Sequence, residues 1–79
     1  MDQLLFLTFQ HMETFKIKGE YIELNSLLKV MGWCDNGAEA NAAIDNGEVR
    51  VNGVQEFRRR NKIRAGHKVE FSKKSVMVG

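Results

Sequence analysis

The spacing of apolar residues in the first half of the chain predicts a helix with a leucine face. Leu24, Leu27, Leu28 and Met31 follow one another at intervals of three and four residues, which brings them onto one side of an α-helix. Gly32 comes directly afterwards, and glycine is preferred there because it adopts the left-handed backbone conformation at little cost. We therefore expect a short amphipathic helix that ends near Gly32 and packs its leucines into a core.

A second helix is predicted by the residues at its two ends. Asn36 is a favourable N-cap, and Glu39 stands three residues later, where its side chain can reach back to the backbone amide of the cap. Gly47 occupies the place that follows the last turn. The apolar face between these ends is narrow and consists of Ala40, Ala43 and Ile44. Because two of the three are alanines, this helix can approach its neighbour closely.

Alternation of apolar and polar residues predicts a short strand before the first helix, over residues 14–18. Phe15 and Ile17 point to one side of this segment, and Lys16 and Lys18 point to the other. The apolar pair is expected to face the core, and the two lysines are expected to face solvent.

The apolar stretch at the start of the chain raises the question of a targeting signal. It has no basic start, carries Asp2 and lacks a small-residue cleavage site, so the pattern does not indicate a signal peptide. We expect residues 1–13 to form either a disordered leader or an extra packing strand, with Met12 as an alternative start. The folded domain is expected to span residues 14–79.

A hairpin is predicted after the second helix, where the apolar period changes to two. Val49 and Val51 share one face of the segment, and Arg50 projects from the other. Asn52 and Gly53 follow, and this dipeptide favours a type I′ turn because both residues tolerate positive φ.

The remaining segments complete an α+β fold. After a basic stretch at residues 57–64, Ala65 and Gly66 predict a turn, and residues 69–71 and 75–78 have the composition of strands. The expected architecture is two packed helices followed by a small antiparallel β-sheet, with a short N-terminal strand. The predicted core contains Leu24, Leu27, Leu28, Ile44, Val49 and Val51.

Composition and size argue for one small domain that does not catalyse a reaction. A chain of 79 residues can bury one modest core and has little material left to enclose a deep catalytic pocket. The single cysteine, Cys34, excludes an internal disulfide, and neither His11 nor His67 stands at a metal-ligand spacing from it. No apolar run is long enough to span a membrane. We expect a cytoplasmic monomer without cofactor or metal.

The charge of the chain is divided unequally between its halves. Residues 1–47 contain three Lys or Arg and seven Asp or Glu, a net charge of −4, whereas residues 48–79 contain nine and three, a net charge of +6. Such asymmetry suggests a polyanionic partner for one face. The densest positive cluster consists of Arg58, Arg59, Arg60, Lys62 and Arg64, and no acidic residue interrupts it. Because neighbours in an extended chain point to opposite faces, at most two of the three arginines are expected to share a face.

An ordered set of residues between Glu23 and Phe71 resembles the RNA-binding domain named after small-subunit ribosomal protein S-four. The matching residues are Gly37, Glu39, Ala40, Ile44, the segment from Gly47 to Gly53 with the pattern G-x-V-x-V-N-G, Lys62, Ile63, Gly66 and Val69. The resemblance implies an αL motif, in which two helices pack against a sheet and RNA is held between the second helix and the hairpin. Such domains occur as appendages of pseudouridine synthases, tyrosyl-tRNA synthetases and ribosomal proteins, and as short stand-alone bacterial chains.

The resemblance implies that the chain binds structured RNA, ribosomal or transfer RNA, with the ribosome or RNA-processing proteins as further candidate partners. The candidate RNA-binding residues are Arg50, Arg58, Arg59, Arg60, Lys62, Arg64, Asn36 and Gly37. One departure from the family concerns the second helix, where Gly37, Asn41 and Ala42 occupy places that are often basic. Binding is then expected to rest on the hairpin and the following loop, to be weaker, or to use the helix N-terminus at Asn36 and Gly37 to hold a phosphate.

Two further interpretations stay open at this stage. The missing basic residues on the second helix favour an alternative in which the fold is retained for protein–protein interaction and RNA binding is lost. Trp33, Tyr21 and Phe57 stand near the ends of elements, where a base could stack, but packing in the core is the expected role of each in so small a chain. Lys73 and Lys74 are either a second RNA contact or a solubilising turn.

Overall fold

The computed structural model describes residues 12–79, so the predictions made for residues 1–11 lie outside the described part of the chain. The described part contains two helices and seven strands, with the helices following the first two strands. In chain order they are β1 (Met12–Phe15), β2 (Ile22–Glu23), α1 (Leu24–Val30), α2 (Gly37–Asp45), β3 (Val49–Val51), β4 (Val54–Gln55), β5 (Lys62–Ile63), β6 (Lys68–Phe71) and β7 (Lys74–Val78).

The strands form two sheets. The larger has the order β1-β7-β6-β3-β4, and the smaller pairs β2 with β5. The α+β class is confirmed, but the larger sheet is mixed and not wholly antiparallel, because β1 runs parallel to β7 with Phe15 opposite Val78. Alternation along a strand carries no information on the direction of its partner, and this partner is more than 60 residues away in sequence. β1 also starts two residues before the predicted start at Thr14 and ends three residues before the predicted end at Lys18.

The core forms as predicted between the helices and the sheet. Leu24, Leu27, Leu28, Ile44 and Val49 are fully buried, and the half-buried Val51 packs against them. Each such side chain contributes about 1.5–3 kcal/mol when it is buried completely. Four further residues of the strands complete the same cluster: Ile63, Val69, Val76 and Val78.

The ends of α2 are defined by the residues that the sequence indicated. The Asn36 side chain accepts a hydrogen bond from the backbone amide of Glu39 at 2.9 Å. The sequence predicted that the Glu39 carboxylate accepts from the amide of the cap, Asn36. It accepts instead from the amide of Asp35, one residue earlier, at 2.9 Å. At the other end Gly47 has a φ of 76°, and its amide donates to the carbonyl of Ile44 at 3.0 Å. These bonds satisfy backbone groups that a helix end leaves unpaired.

The predicted hairpin turn is confirmed and is tied to the neighbouring strand. Asn52 and Gly53 have φ values of 54° and 86°, the signs that a type I′ turn requires at both positions. The Asn52 amide donates to the carbonyl of Lys68 at 2.8 Å, and its side-chain oxygen accepts from the Lys68 amide at 2.9 Å. The turn thereby holds β3 in register with β6.

Candidate nucleic-acid interface

The basic loop, which we define as residues 56–64, is anchored on the first turn of α1. The backbone amide of Leu24 donates to the carbonyl of Asn61 at 2.9 Å, and the amide of Asn25 donates to the carbonyl of Arg59 at 3.0 Å. Amides in the first turn of a helix have no partner within the helix. The loop therefore caps the helix, and the helix in return fixes the backbone from which the basic side chains extend.

Glu56 organises the start of the basic loop. Its carboxylate accepts hydrogen bonds from the backbone amide and the Nε of Arg58, both at 2.9 Å, and from the Nδ2 of Asn61 at 3.1 Å. The hydrogen bond from the Arg58 side chain is the largest influence that lowers the pKa of Glu56 below its ordinary value. Glu56 thus stays ionised and holds the loop in a closed turn.

The next two arginines reach carboxylates that are distant in sequence. Arg59 binds Asp45, the last residue of α2, with 2.9 Å between Nε and Oδ1 and a second, parallel bond from Nη2. This side-chain hydrogen bonding lowers the pKa of Asp45 and raises the pKa of Arg59. Arg60 lies 3.3 Å from Glu23, at the start of α1, measured from Nε to Oε1.

The absence of acidic residues within the basic stretch was therefore misleading. Each of the three consecutive arginines forms a salt bridge, with Glu56, Asp45 and Glu23 respectively. The three carboxylate partners lie on different parts of the chain. The guanidinium groups therefore point in different directions and do not form one continuous face. Asp45 and Glu23 reach the basic loop only in the folded chain, so their positions in the sequence did not predict these salt bridges.

Lys62 and Arg64 are placed differently from the three arginines. The Nζ of Lys62 lies 5.1 Å from the centroid of the Tyr21 ring, and the Cζ of Arg64 lies 5.6 Å from it. Both distances fall within the range of cation–π attraction. Within residues 12–79 neither side chain forms a salt bridge.

Arg50 lies on the outer face of the larger sheet, away from these contacts. It is directly opposite Gln55 on one side and Glu70 on the other. Together with Glu48 and Glu70 it lines an open polar depression, and no hydrogen bond or salt bridge within residues 12–79 connects it to the basic loop. Its exposure agrees with the prediction, but its neighbours include acidic residues.

Asn36 and Gly37 lie at the end of α2 that is opposite to Asp45. A helix of this length spans roughly 12 Å, so the two residues are separated by that distance along the axis from the point where Arg59 binds. The structure brings five of the predicted residues together on one loop, whereas Arg50, Asn36 and Gly37 lie on other parts of the surface. Their contact with a ligand stays a prediction.

The aromatic residues only partly follow the packing expected from the sequence. Trp33 packs against the core and stacks on Phe71, with 6.2 Å between ring centroids. Tyr21 and Phe57, in contrast, are 40% and 55% exposed, so the expectation that they pack inside is wrong. The alternation around Ile22 was the missed signal, because an inward isoleucine places the preceding tyrosine on the outer face.

Other kinds of site receive no support from the described residues. Residues 12–79 contain no group of three or more His, Cys, Asp or Glu side chains that could hold a metal ion. Cys34 is buried, and burial is the main cause that raises the pKa of its thiol, which keeps it protonated and unreactive. None of the helices in this part of the chain is long and apolar enough to cross a membrane.

Comparison with known proteins identifies the family. The model of the S4 domain matches residues 15–79. YbcJ from Escherichia coli (strain K12) and YbcJ from Shigella flexneri are each 47% identical to the chain over 68 residues, which cover 85% of this chain and 97% of each relative. The solution structure of YbcJ from E. coli, described as revealing an αL motif involved in RNA binding, superposes with a TM-score of 0.66 over 85% of this chain and 86% of that one. The resemblance seen in the sequence is thus confirmed, and the chain belongs to the S4 domain family.

Proposed function

We propose that this chain is a non-catalytic module of the cytoplasm that binds structured RNA, ribosomal or transfer RNA, through the basic loop. The observation that carries the proposal is the anchoring of this loop. Five basic side chains extend from a backbone that two hydrogen bonds fix to the first turn of α1. The αL motif described for the related YbcJ structure supports the same conclusion. The ribosome and RNA-processing proteins are the further partners that such a module would meet.

Recognition in this proposal depends on charge and shape. The deep groove of an A-form helix cannot be read by side chains, so a small basic surface binds duplex RNA through its phosphates. Arginine suits this contact because its planar guanidinium donates two parallel hydrogen bonds to a phosphate. Binding then releases counterions, which makes the affinity fall as the salt concentration rises.

The intramolecular carboxylates compete with RNA for the same arginines. All three side chains are at least half exposed, at 74% for Arg58, 52% for Arg59 and 76% for Arg60, and exposed ion pairs are weak. A phosphate can therefore replace the carboxylate of Asp45 or Glu23 without disrupting the core. We expect the affinity for RNA to be lower than that of a surface whose arginines have no acidic neighbours.

A second candidate function is supported by this same pairing. If the three arginines keep their carboxylate partners, only Lys62 and Arg64 of the basic loop remain without a salt bridge within residues 12–79. The exposed Asp35 and Glu39 of the acidic helical half also form no salt bridge within that range, so their carboxylates are available to a basic protein. The chain would then be a protein-interaction module that keeps the fold and docks a basic protein. The lack of basic residues at Gly37, Asn41 and Ala42 on α2 favours this alternative.

A salt titration of binding to a structured ribosomal RNA fragment tests the proposal. The variant carries Arg58→Ala, Arg59→Ala and Arg60→Ala, and a melting curve is recorded beside each titration. The slope of log affinity against log salt shrinks by about 0.7–0.9 for each phosphate contact that is lost. Because the arginines diverge, we expect a loss of two contacts and not three.

The matched control removes one positive charge elsewhere, with Lys29→Ala, and is compared with the single substitution Arg60→Ala in the basic loop. Lys29 is exposed in the last turn of α1. A control with the parent's affinity would assign binding to the loop, whereas an equal loss in both variants would mean that RNA is held by net charge alone. If the parent protein binds no structured RNA, the protein-interaction function replaces the proposal.

A further inference from the structure

Tyr21 directly precedes β2, and its ring lies beside basic side chains on the outer side of the smaller sheet. Ile22 and Ile63 are directly opposite each other in the β2–β5 pair, and both pack inward, with Ile63 fully buried. Successive side chains of a strand point to opposite faces. The side chains of Tyr21, Lys62 and Arg64 are therefore turned together to the outside, which agrees with their cation–π distances.

The two cations at Tyr21 are held by an aromatic ring and not by acids. Arg58, Arg59 and Arg60 each have a carboxylate partner, whereas within residues 12–79 Lys62 and Arg64 have none. Glu23 lies directly opposite Lys62 in the β2–β5 pair, but its carboxylate binds Arg60. Attraction to a ring leaves the positive charge of a side chain uncompensated. These two residues consequently offer phosphates a site that needs no displacement of an internal salt bridge.

An open groove continues from the tyrosine ring. Its apolar lining comes from Phe15, Ile17 and Ile22, which are half-buried. Exposed lysines lie along its edge: Lys16 and Lys18. The groove thus combines an aromatic ring and an apolar floor with a positively charged rim.

We infer that Tyr21, Lys62 and Arg64 form a binding site for one unpaired nucleotide of RNA. The base stacks on the Tyr21 ring in place of a cationic side chain, and Lys62 and Arg64 move from the ring to bind the phosphates on either side of the base. A base within a duplex has both faces covered by its neighbours, so only a nucleotide in a bulge, a loop or an end can stack on a protein ring. This inference rests on the proposed function and specifies its substrate as duplex RNA that carries an unpaired nucleotide beside the basic loop.

Two RNA probes and three variants test the site. The probes are a short RNA duplex with a single-nucleotide bulge and the same duplex fully paired. Stacking of a base on an aromatic side chain changes affinity by roughly 5–150-fold upon alanine substitution. Tyr21→Ala should therefore weaken binding to the bulged duplex by at least about 5-fold. Its binding to the paired duplex should stay at the parent's level, because phosphate contacts alone hold that probe.

The other two variants separate stacking from packing. Tyr21→Phe keeps the ring and should bind both probes as the parent does. Tyr21→Leu keeps apolar bulk without a ring, so it should weaken binding to the bulged duplex and leave binding to the paired duplex unchanged. This variant keeps the test valid if Tyr21→Ala folds poorly. With 2-aminopurine as the bulged nucleotide, the parent and Tyr21→Phe should quench the fluorescence of the base by stacking, and Tyr21→Leu should not.

The outcomes distinguish this inference from the proposed function. If the parent binds both probes equally and Tyr21→Leu changes neither, RNA binding stands and the nucleotide site is overturned. If neither probe binds to the parent, the nucleotide site is overturned, and the proposed function is decided separately by binding to the structured ribosomal RNA fragment. An acidic peptide serves as a third probe. If it binds to the parent, and Tyr21→Leu removes that binding but leaves RNA binding intact, the site binds acidic peptide and the inference is overturned.

Discussion

The guanidinium of Arg59 binds the carboxylate of Asp45 through two parallel hydrogen bonds, one of them 2.9 Å between Nε and Oδ1. This pair connects the basic loop to the last residue of α2, while the carbonyl of Arg59 binds the amide of Asn25 in α1. One arginine thus contacts both helices, once through its side chain and once through its backbone. The contact fixes the loop and at the same time occupies a side chain that RNA would use.

Removal of the acidic partner should strengthen RNA binding. In Asp45→Asn the carboxylate no longer competes for Arg59, so one more phosphate contact is available. We expect higher affinity, and a slope of log affinity against log salt that is steeper by about 0.7–0.9. Glu13→Gln is the matched control because Glu13 is exposed and forms no salt bridge within residues 12–79. Equal effects of the two substitutions would show that only net charge matters.

The hydrogen bonds of the basic loop to Asp45 and Glu56 should be lost at acidic pH. Hydrogen bonds from Arg59 and Arg58 lower the pKa values of Asp45 and Glu56 respectively. A carboxyl group whose folded-state pKa is lowered stabilises the fold above its unfolded-state pKa, and this contribution is lost as the pH falls through the lowered value. Carbon-detected NMR titration should therefore give both groups midpoints below those of ordinary carboxyls.

Arg59→Ala provides the control for this titration. The midpoint of Asp45 should return toward the ordinary value for aspartate, since its hydrogen-bond donor is gone, and the midpoint of Glu56 should stay low. An Asp45 midpoint that does not move in Arg59→Ala would mean that the pair does not form in solution.

The hairpin turn should tolerate no β-branched residue at Gly53. The φ of 86° is strained for any L side chain, although a Cβ there would meet no atom within 4 Å. Gly53→Val should therefore destabilise the protein through backbone strain alone, by about 1–3 kcal/mol. Gly37→Val is the control, because that glycine also faces open space and has no positive φ. Equal melting temperatures for Gly53→Val and the parent would contradict the type I′ turn.

Two substitutions at Asn36 separate its structural role from contact with RNA. Asn36→Ala removes the cap on the Glu39 amide and should lower the free energy of unfolding by about 0.5–2 kcal/mol. Asn36→Asp keeps a capping oxygen and should melt as the parent does. If the N-terminus of α2 holds a phosphate, the added negative charge of Asn36→Asp should nevertheless weaken RNA binding. Unchanged RNA affinity in this variant would remove Asn36 and Gly37 from the interface.

The sequence by itself determined the local elements and the family. The leucine face of α1, the Asn36 cap, the Gly47 end and the turn at Asn52 and Gly53 were all predicted from the residues and are confirmed. These features depend on backbone preferences and on periods of a few residues, which a sequence displays directly. The ordered motif that contains them also identified the family.

Only the tertiary structure decided what surrounds the basic side chains. Asp45 and Glu23 lie 14 and 37 positions from the arginines that they bind, and Tyr21 lies more than 40 positions from Lys62 and Arg64. The parallel pairing of β1 with β7 joins the two ends of the described chain in the same way. Electrostatic and aromatic contacts act over a few ångströms in space whatever the separation along the chain. The charges of this surface could therefore be counted from the sequence, but the residues that contact them could be identified only from the tertiary structure.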